Sequence, residues 1–119
     1  LLDAYNDKAG ITAAFNKNLL QRINNELNGT FNLDNFSHES RFNEQHSRIE
    51  MHLVSNCNQS VVINDQQIDF IEGESIHTEN SHKYTLESFK QLAAQANLKL
   101  EQTWQDDSNY FALCLLRPL

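Results

Sequence analysis

An α+β fold is predicted for these 119 residues, an antiparallel meander sheet packed with two helices. Three observations carry that prediction. Apolar residues recur at helical steps in two separate windows, around 12–27 and 85–97; the stretch between them changes to a period of two; and the links inside that stretch are short and polar. Strands joined by such short turns pair antiparallel, because a parallel pair needs a long crossover.

From Thr12 to Leu27 the residues Phe15, Leu19, Leu20, Ile23 and Leu27 form the stripe of an amphipathic helix. Thr12 is suited to cap its start, and Gly29 stands where a left-handed C-terminal residue belongs. A short turn over Asn32 to Phe36 follows. Between Ser37 and Thr78 the alternation places Ile49, Met51 and Leu53 on one strand face and Glu50, His52 and Val54 on the other. Val61-Val62-Ile63, the turn residues Asn64-Asp65, then Ile68 and Phe70 read as a hairpin, and Gly73 breaks the chain before a strand that starts at Ile76. The second helix starts at a Thr85 cap, shows Leu86, Phe89, Leu92, Ala93 and Ala96 on its apolar face and ends at Asn97, with Glu87 suiting its first turn. Two strands close the chain, Lys99 to Gln105 and Tyr110 to Arg117, joined by Asp106-Asp107-Ser108-Asn109. The last is nearly all apolar and is expected to be covered on both faces, which calls for neighbours from a further domain.

The length suffices for one modest core. Nine basic residues against 16 acidic give a net charge of −7, the wrong sign for phosphate backbones or anionic membranes, so no nucleic-acid and no membrane partner is expected. Apolar runs such as Phe111 to Leu116 fall far short of the roughly 20 residues that span a bilayer, and no secretory leader pattern is present. A soluble, cytoplasmic chain is expected. Cys57 and Cys114 show neither paired-Cys spacing nor the density of a secreted disulfide scaffold and read as free thiols. The start at Leu1 without methionine, and only three glycines and one proline, suggest a piece of a longer enzyme.

The chemistry-bearing stretch is Ile76 to Tyr84, where Glu79 and Ser81 stand two apart in an extended segment and therefore share a face. A charged acceptor beside an adaptable hydroxyl suits an imidazole ring. Spacing alone favours a solvated Glu79 and a Ser81 that belongs to the turn ahead of the second helix. Met51, between Ile49 and Leu53, is by default a core residue, and Tyr5 is either an interfacial tyrosine or a loop residue whose phenol reaches a ligand. The five histidines lack metal-ligand spacing: His77 and His82 are five apart on a strand, on opposite faces, and no metal is expected. Ser81 beside His82 is not a nucleophile–base pair, because neighbouring strand residues diverge, and no glycine-rich phosphate loop exists.

Taken in order, Ala4-Tyr5-Asn6-Asp7, Gly10-Ile11-Thr12-Ala13-Ala14-Phe15-Asn16, Arg48-Ile49-Glu50-Met51 and Thr78-Glu79-Asn80-Ser81 with Lys83-Tyr84 resemble the histidine-specific, S-adenosylmethionine-dependent methyltransferases, best known for making hercynine in ergothioneine biosynthesis. The resemblance spans nearly the whole chain but only the C-terminal part of such an enzyme. It implies that residues 1–84 are the later part of a substrate-binding domain, and that residues 85–119 are the C-terminal helix and strand pair of a Rossmann-like methyltransferase sheet. It further implies that Glu79 and Ser81 hold the imidazole nitrogens of L-histidine, Met51 packs on the ring, and Tyr5 hydrogen-bonds the substrate carboxylate. Catalytic and cofactor-binding residues are expected outside these 119, with S-adenosyl-L-methionine bound mainly by an N-terminal domain. The methyltransferase half of an ovothiol-type fused enzyme, acting on thiolated histidine, resembles the same family. A stand-alone module binding histidine-like metabolites is the reading outside the enzyme class. The exposed strand edges of the piece offer a route to homodimerisation.

Overall fold

The computed structural model describes residues 1–119, and the chain divides into two compact units, Leu1–His82 and Lys83–Leu119. It is α+β: antiparallel sheets with three α-helices, α1 (Leu2–Tyr5), α2 (Ile11–Glu26) and α3 (Leu86–Gln95). No helix is long and apolar enough to cross a membrane.

In the first unit, β1 (Phe36–Asn43), β2 (Arg48–Ser55) and β5 (Ser75–His82) form a three-stranded antiparallel sheet with β2 in the centre. The hairpin β3 (Gln59–Ile63) and β4 (Gln66–Phe70) is a separate two-stranded sheet inserted between β2 and β5. The expected meander is therefore corrected. Strand periodicity does not say which strands pair, and here the eight-residue β2 passes over the five-residue hairpin to match the eight-residue β5. The hairpin itself follows its turn residues: Asn64 and Asp65 both take positive φ, 46° and 67°, the combination a two-residue turn of matching twist requires. It is tied to the end of α2 by Asn64 N–H on the Leu27 carbonyl at 3.1 Å and by Thr30 N–H on the Val62 carbonyl at 3.0 Å.

The core lies between α2, the hairpin and one end of the large sheet, where Leu20, Phe31, Phe36, Leu53, Val61 and Phe70 are buried together. Phe36 meets Phe31 at 5.6 Å and Phe70 at 5.4 Å between ring centroids, both edge to face. The stripe of α2 that turns inward is Asn16, Leu20 and Ile23, not the whole apolar set, since Phe15 is 68% exposed and Leu19 and Leu27 are exposed too.

Both expected helix caps of α2 are corrected. Thr12 lies inside the helix, and Asp7 takes the capping role, its carboxylate accepting from Ile11 N–H and Thr12 N–H at 3.0 Å each. Those two backbone donors, Thr12 first, hold the Asp7 carboxyl below its ordinary value. At the other end Asn28 takes the left-handed φ of 51° that was expected of Gly29. Gly29 is required for room: a Cβ there would lie 2.8 Å from Asn24 Oδ1 and 3.2 Å from Asn24 N. The Asn24 amide is itself fixed, bonding both the N–H and the carbonyl of Phe31 at 2.8 Å.

In the second unit α3 begins at a Thr85–Ser88 capping box and is followed at Asn97 by a φ of 58°. The strands β6 (Leu98–Gln105) and β7 (Ala112–Pro118) pair antiparallel as a two-stranded sheet. The expectation of a closing strand covered on both faces does not hold within these residues. Ala112, Cys114 and Leu116 are half-buried while Leu113 and Leu115, on the other face, are exposed.

Candidate functional site

Strand pairing puts the predicted residues on one sheet face. Met51 faces Glu79 and Ile49 faces Ser81 across β2 and β5, and in an antiparallel ladder directly paired residues point to the same side. Beyond Glu79 the register shifts, His52 pairing with His77, so Thr78 is the extra residue of a β-bulge. Its hydroxyl lies 3.0 Å from the Met51 carbonyl and 2.6 Å from Asn16 Oδ1 on α2. The bulge re-aims the strand immediately beside Glu79.

Tyr5, at the end of α1, reaches the same face, its phenol oxygen 2.8 Å from Ser81 Oγ. The Tyr5 carbonyl is held by His38 Nε2 at 2.7 Å and by the Ser40 hydroxyl at 3.1 Å, both on β1. Met51 and Glu79 line a concavity of about 260 Å³ whose opposite wall is α2, through Phe15, Leu19 and Arg22. Tyr5 and Ser81 are not among its lining residues, so the four predicted residues share a face without closing into one cavity. Met51 is 4% exposed and Glu79 is exposed, an apolar floor beside an accessible carboxylate.

On the other face of the sheet, where the alternation puts Glu50 and His52, the bulge brings His77 beside them. Glu50 accepts from His52 Nε2 at 2.9 Å, Asn43 Nδ2 at 3.0 Å and Arg48 Nε at 2.8 Å, and His52 stacks on His77 with ring centroids 4.5 Å apart. Glu50, His52 and His77 each bring a potential metal-ligand atom within 4.8 Å of the others. The carboxylate, however, is already paired with the guanidinium of Arg48, and the ring nitrogens are engaged too, His52 Nδ1 with Ser75 Oγ at 3.3 Å and His77 Nε2 with Asn80 Oδ1 at 2.6 Å.

The bonds from His52, Asn43 and Arg48, in that order, lower the Glu50 carboxyl to about 2 from its ordinary 4.5. A carboxyl depressed in the folded state stabilises above its unfolded value, and that contribution is lost as pH falls toward the folded one. Between pH 4.5 and about 2, unfolding should therefore take up close to one proton at this group. Urea titrations across that window should show a steeper loss of stability in the parent than in Glu50→Gln; parallel curves would remove Glu50 from the acid response.

Asn16, Phe15, Leu19 and His38 were also missed. One signal was available: Asn16, Leu20 and Ile23 follow a helical i, i+4, i+7 spacing, and a polar residue in such a stripe marks a buried polar contact.

A model of the family described as histidine-specific, SAM-dependent methyltransferases matches residues 1–118. Among curated proteins, the histidine N-alpha-methyltransferase of Mycolicibacterium smegmatis (strain ATCC 700084 / mc(2)155) is 40% identical over 117 residues, covering 97% of this chain and 36% of that protein. The protein of the same name from Mycobacterium tuberculosis (strain CDC 1551 / Oshkosh) is 38% identical over 117 residues, with the same coverage. The chain thus spans about a third of the length of these relatives (36%). With an ordered match running from the first residue to the last but one, it belongs to the histidine-specific, SAM-dependent methyltransferase family.

Proposed function

We propose that these residues are the C-terminal part of an enzyme that transfers methyl groups from S-adenosyl-L-methionine to the α-amine of L-histidine, giving trimethylhistidine (hercynine) for ergothioneine biosynthesis in the cytoplasm. Residues 1–84 then belong to its substrate domain. Residues 85–119 supply the last helix and strand pair of a Rossmann-like sheet, which would cover the exposed Leu113 and Leu115. The observation that most supports this reading is the common face of Glu79, Ser81 and Met51, with the Tyr5 phenol on Ser81.

Each role is the one the family resemblance implies, and each fits its chemistry. The Glu79 carboxylate accepts an imidazole N–H, and the Ser81 hydroxyl serves the other ring nitrogen as donor or acceptor. Met51 offers a polarisable surface to the ring, and Tyr5, its phenol exchanging Ser81 for the ligand, donates to the substrate carboxylate. Methyl transfer needs a neutral amine lone pair in line with the sulfonium methyl carbon, so the contribution of these residues is orientation: a ring held at one end aims the amine at the other.

Gly10, Gly29 and Gly73 are isolated, and none stands between a strand and a following helix. The 119 residues thus do not fit a cofactor loop, and no step through the sulfonium is assigned to them. Their isolated form is expected to show no methyltransferase turnover and weak or no binding of S-adenosyl-L-methionine, with self-association through the β1 or β5 edge as its main interaction. Turnover by the 119 residues would refute this. The substrate is tested by calorimetry of the full-length protein with L-histidine against a panel of amino acids and thiolated histidine, with and without the cofactor. Histidine preferred over all others is the expected result.

A further inference from the structure

Asn16 is 3% exposed, on the inward stripe of α2, and touches all three strands of the large sheet. A buried amide is costly unless each of its groups is bonded. Here each is: Nδ2 lies 3.1 Å from the His52 carbonyl and 2.9 Å from His38 Nδ1, and Oδ1 accepts the Thr78 hydroxyl at 2.6 Å.

The direction of this chain of bonds is fixed at both ends. The His52 carbonyl only accepts, so the amide nitrogen must face it, and the second N–H of that nitrogen points at His38 Nδ1, which then accepts. A neutral His38 ring consequently carries its hydrogen on Nε2, and Nε2 lies 2.7 Å from the Tyr5 carbonyl, which also only accepts. Both ends agree on one tautomer.

That bond matters because α1 has no buried residue of its own. The bonds to the Tyr5 carbonyl from β1 therefore help to fix the place of Tyr5. At the far end, Thr78 is the bulged residue next to Glu79, and its hydroxyl sits between Asn16 and the Met51 carbonyl.

From this geometry we infer that Asn16 is a positioning residue for substrate recognition: it imposes the Nε2–H tautomer on His38, which holds Tyr5, and it pins the bulge that presents Glu79. The inference rests on the pocket proposed above. One buried amide thereby sets the spacing between the carboxylate-binding and ring-binding ends of a single amino acid.

The test uses full-length protein with ¹⁵N-labelled histidine side chains, the variants Asn16→Asp, His38→Gln and His38→Leu, and Glu79→Ala as reference. In the parent, the His38 resonances should report the Nε2–H tautomer; an Nδ1–H tautomer overturns the inference whatever the variants do. Asp at position 16 only accepts, so at a pH where the His38 ring stays neutral Asn16→Asp should move the hydrogen to Nδ1 and raise KM for histidine about tenfold or more, with kcat within about threefold. His38→Gln keeps a donor toward the Tyr5 carbonyl and should stay within about threefold of the parent KM, whereas His38→Leu should match Asn16→Asp. An unchanged KM in His38→Leu, or a loss confined to kcat, overturns the inference. If Asn16→Asp does not fold, the parent tautomer and the two His38 variants decide. Failure of the pocket reading itself is distinguishable, because Glu79→Ala would then also leave KM unchanged.

Discussion

Replacing Glu79 by alanine in the full-length protein should weaken histidine binding by about 1–3 kcal/mol or more, a loss of roughly fivefold to more than a hundredfold, and should relax selectivity at the ring. The residue is exposed on β5, so its removal opens no cavity, and an effect on binding is not a disguised loss of fold. Its neighbours cannot replace it. Thr78 points its hydroxyl toward Asn16 and the Met51 carbonyl, and Ser81 is already assigned to the other ring nitrogen in the proposed pocket. Without the carboxylate an imidazole N–H loses its acceptor, while a phenyl ring loses nothing, so the ratio of histidine to phenylalanine affinity should fall together with histidine affinity. Met51→Val should add to the relaxation by withdrawing the long thioether from the floor of the concavity. Calorimetry with histidine and with other aromatic amino acids checks both. If the two variants bind histidine as tightly as the parent and reject the others equally well, the pocket assignment is wrong.

The shared face of Glu79 and Ser81 was legible because a period of two is a local property, but the inference needed luck in the placement of the bulge. Thr78 absorbs the extra residue one position before Glu79; the same bulge at Asn80 would have sent the two side chains to different positions relative to Met51 and Ile49. The hairpin turn and the ends of α3 were equally readable, whereas both caps of α2 were not. Asn64-Asp65, Thr85 and Asn97 do in the fold what their side chains and φ preferences dictate. Pairing and sidedness were not readable, because they are decided by groups far apart in the chain. Nothing near β2 announces that β5, and not β3, lies beside it. Nothing near His52 announces that Ser75 and His77, more than twenty residues on, will stand beside it when it is buried. Phe15 and Leu19 look like core on a helical wheel, yet they stand exposed over the concavity, where an apolar wall facing a ligand has the same composition as one facing a core.

Phe36→Ala should be the most damaging single substitution for stability, at about 3–5 kcal/mol. The ring is 0% exposed and sits at the meeting point of the large sheet and the hairpin, edge to face with both Phe31 and Phe70. Alanine there removes the burial of a large ring, leaves a void that three different elements would have to move to fill, and breaks two aromatic contacts at once. A loss of that size should lower the urea midpoint of the chain by on the order of 1 M or more, followed by far-ultraviolet circular dichroism. The consequence extends to the site, because Phe36 opens β1 and pairs with Ser55 at the end of β2, and β1 carries His38 and Ser40 to the Tyr5 carbonyl. Slippage at that end of the ladder should therefore loosen α1, whose own residues are not buried, before the hairpin gives way. Amide hydrogen exchange separates the two events: protection around Tyr5 should fall in Phe36→Ala by more than protection in β3 and β4. Equal losses in both would mean that the aromatic core and the tethers of Tyr5 open as one unit.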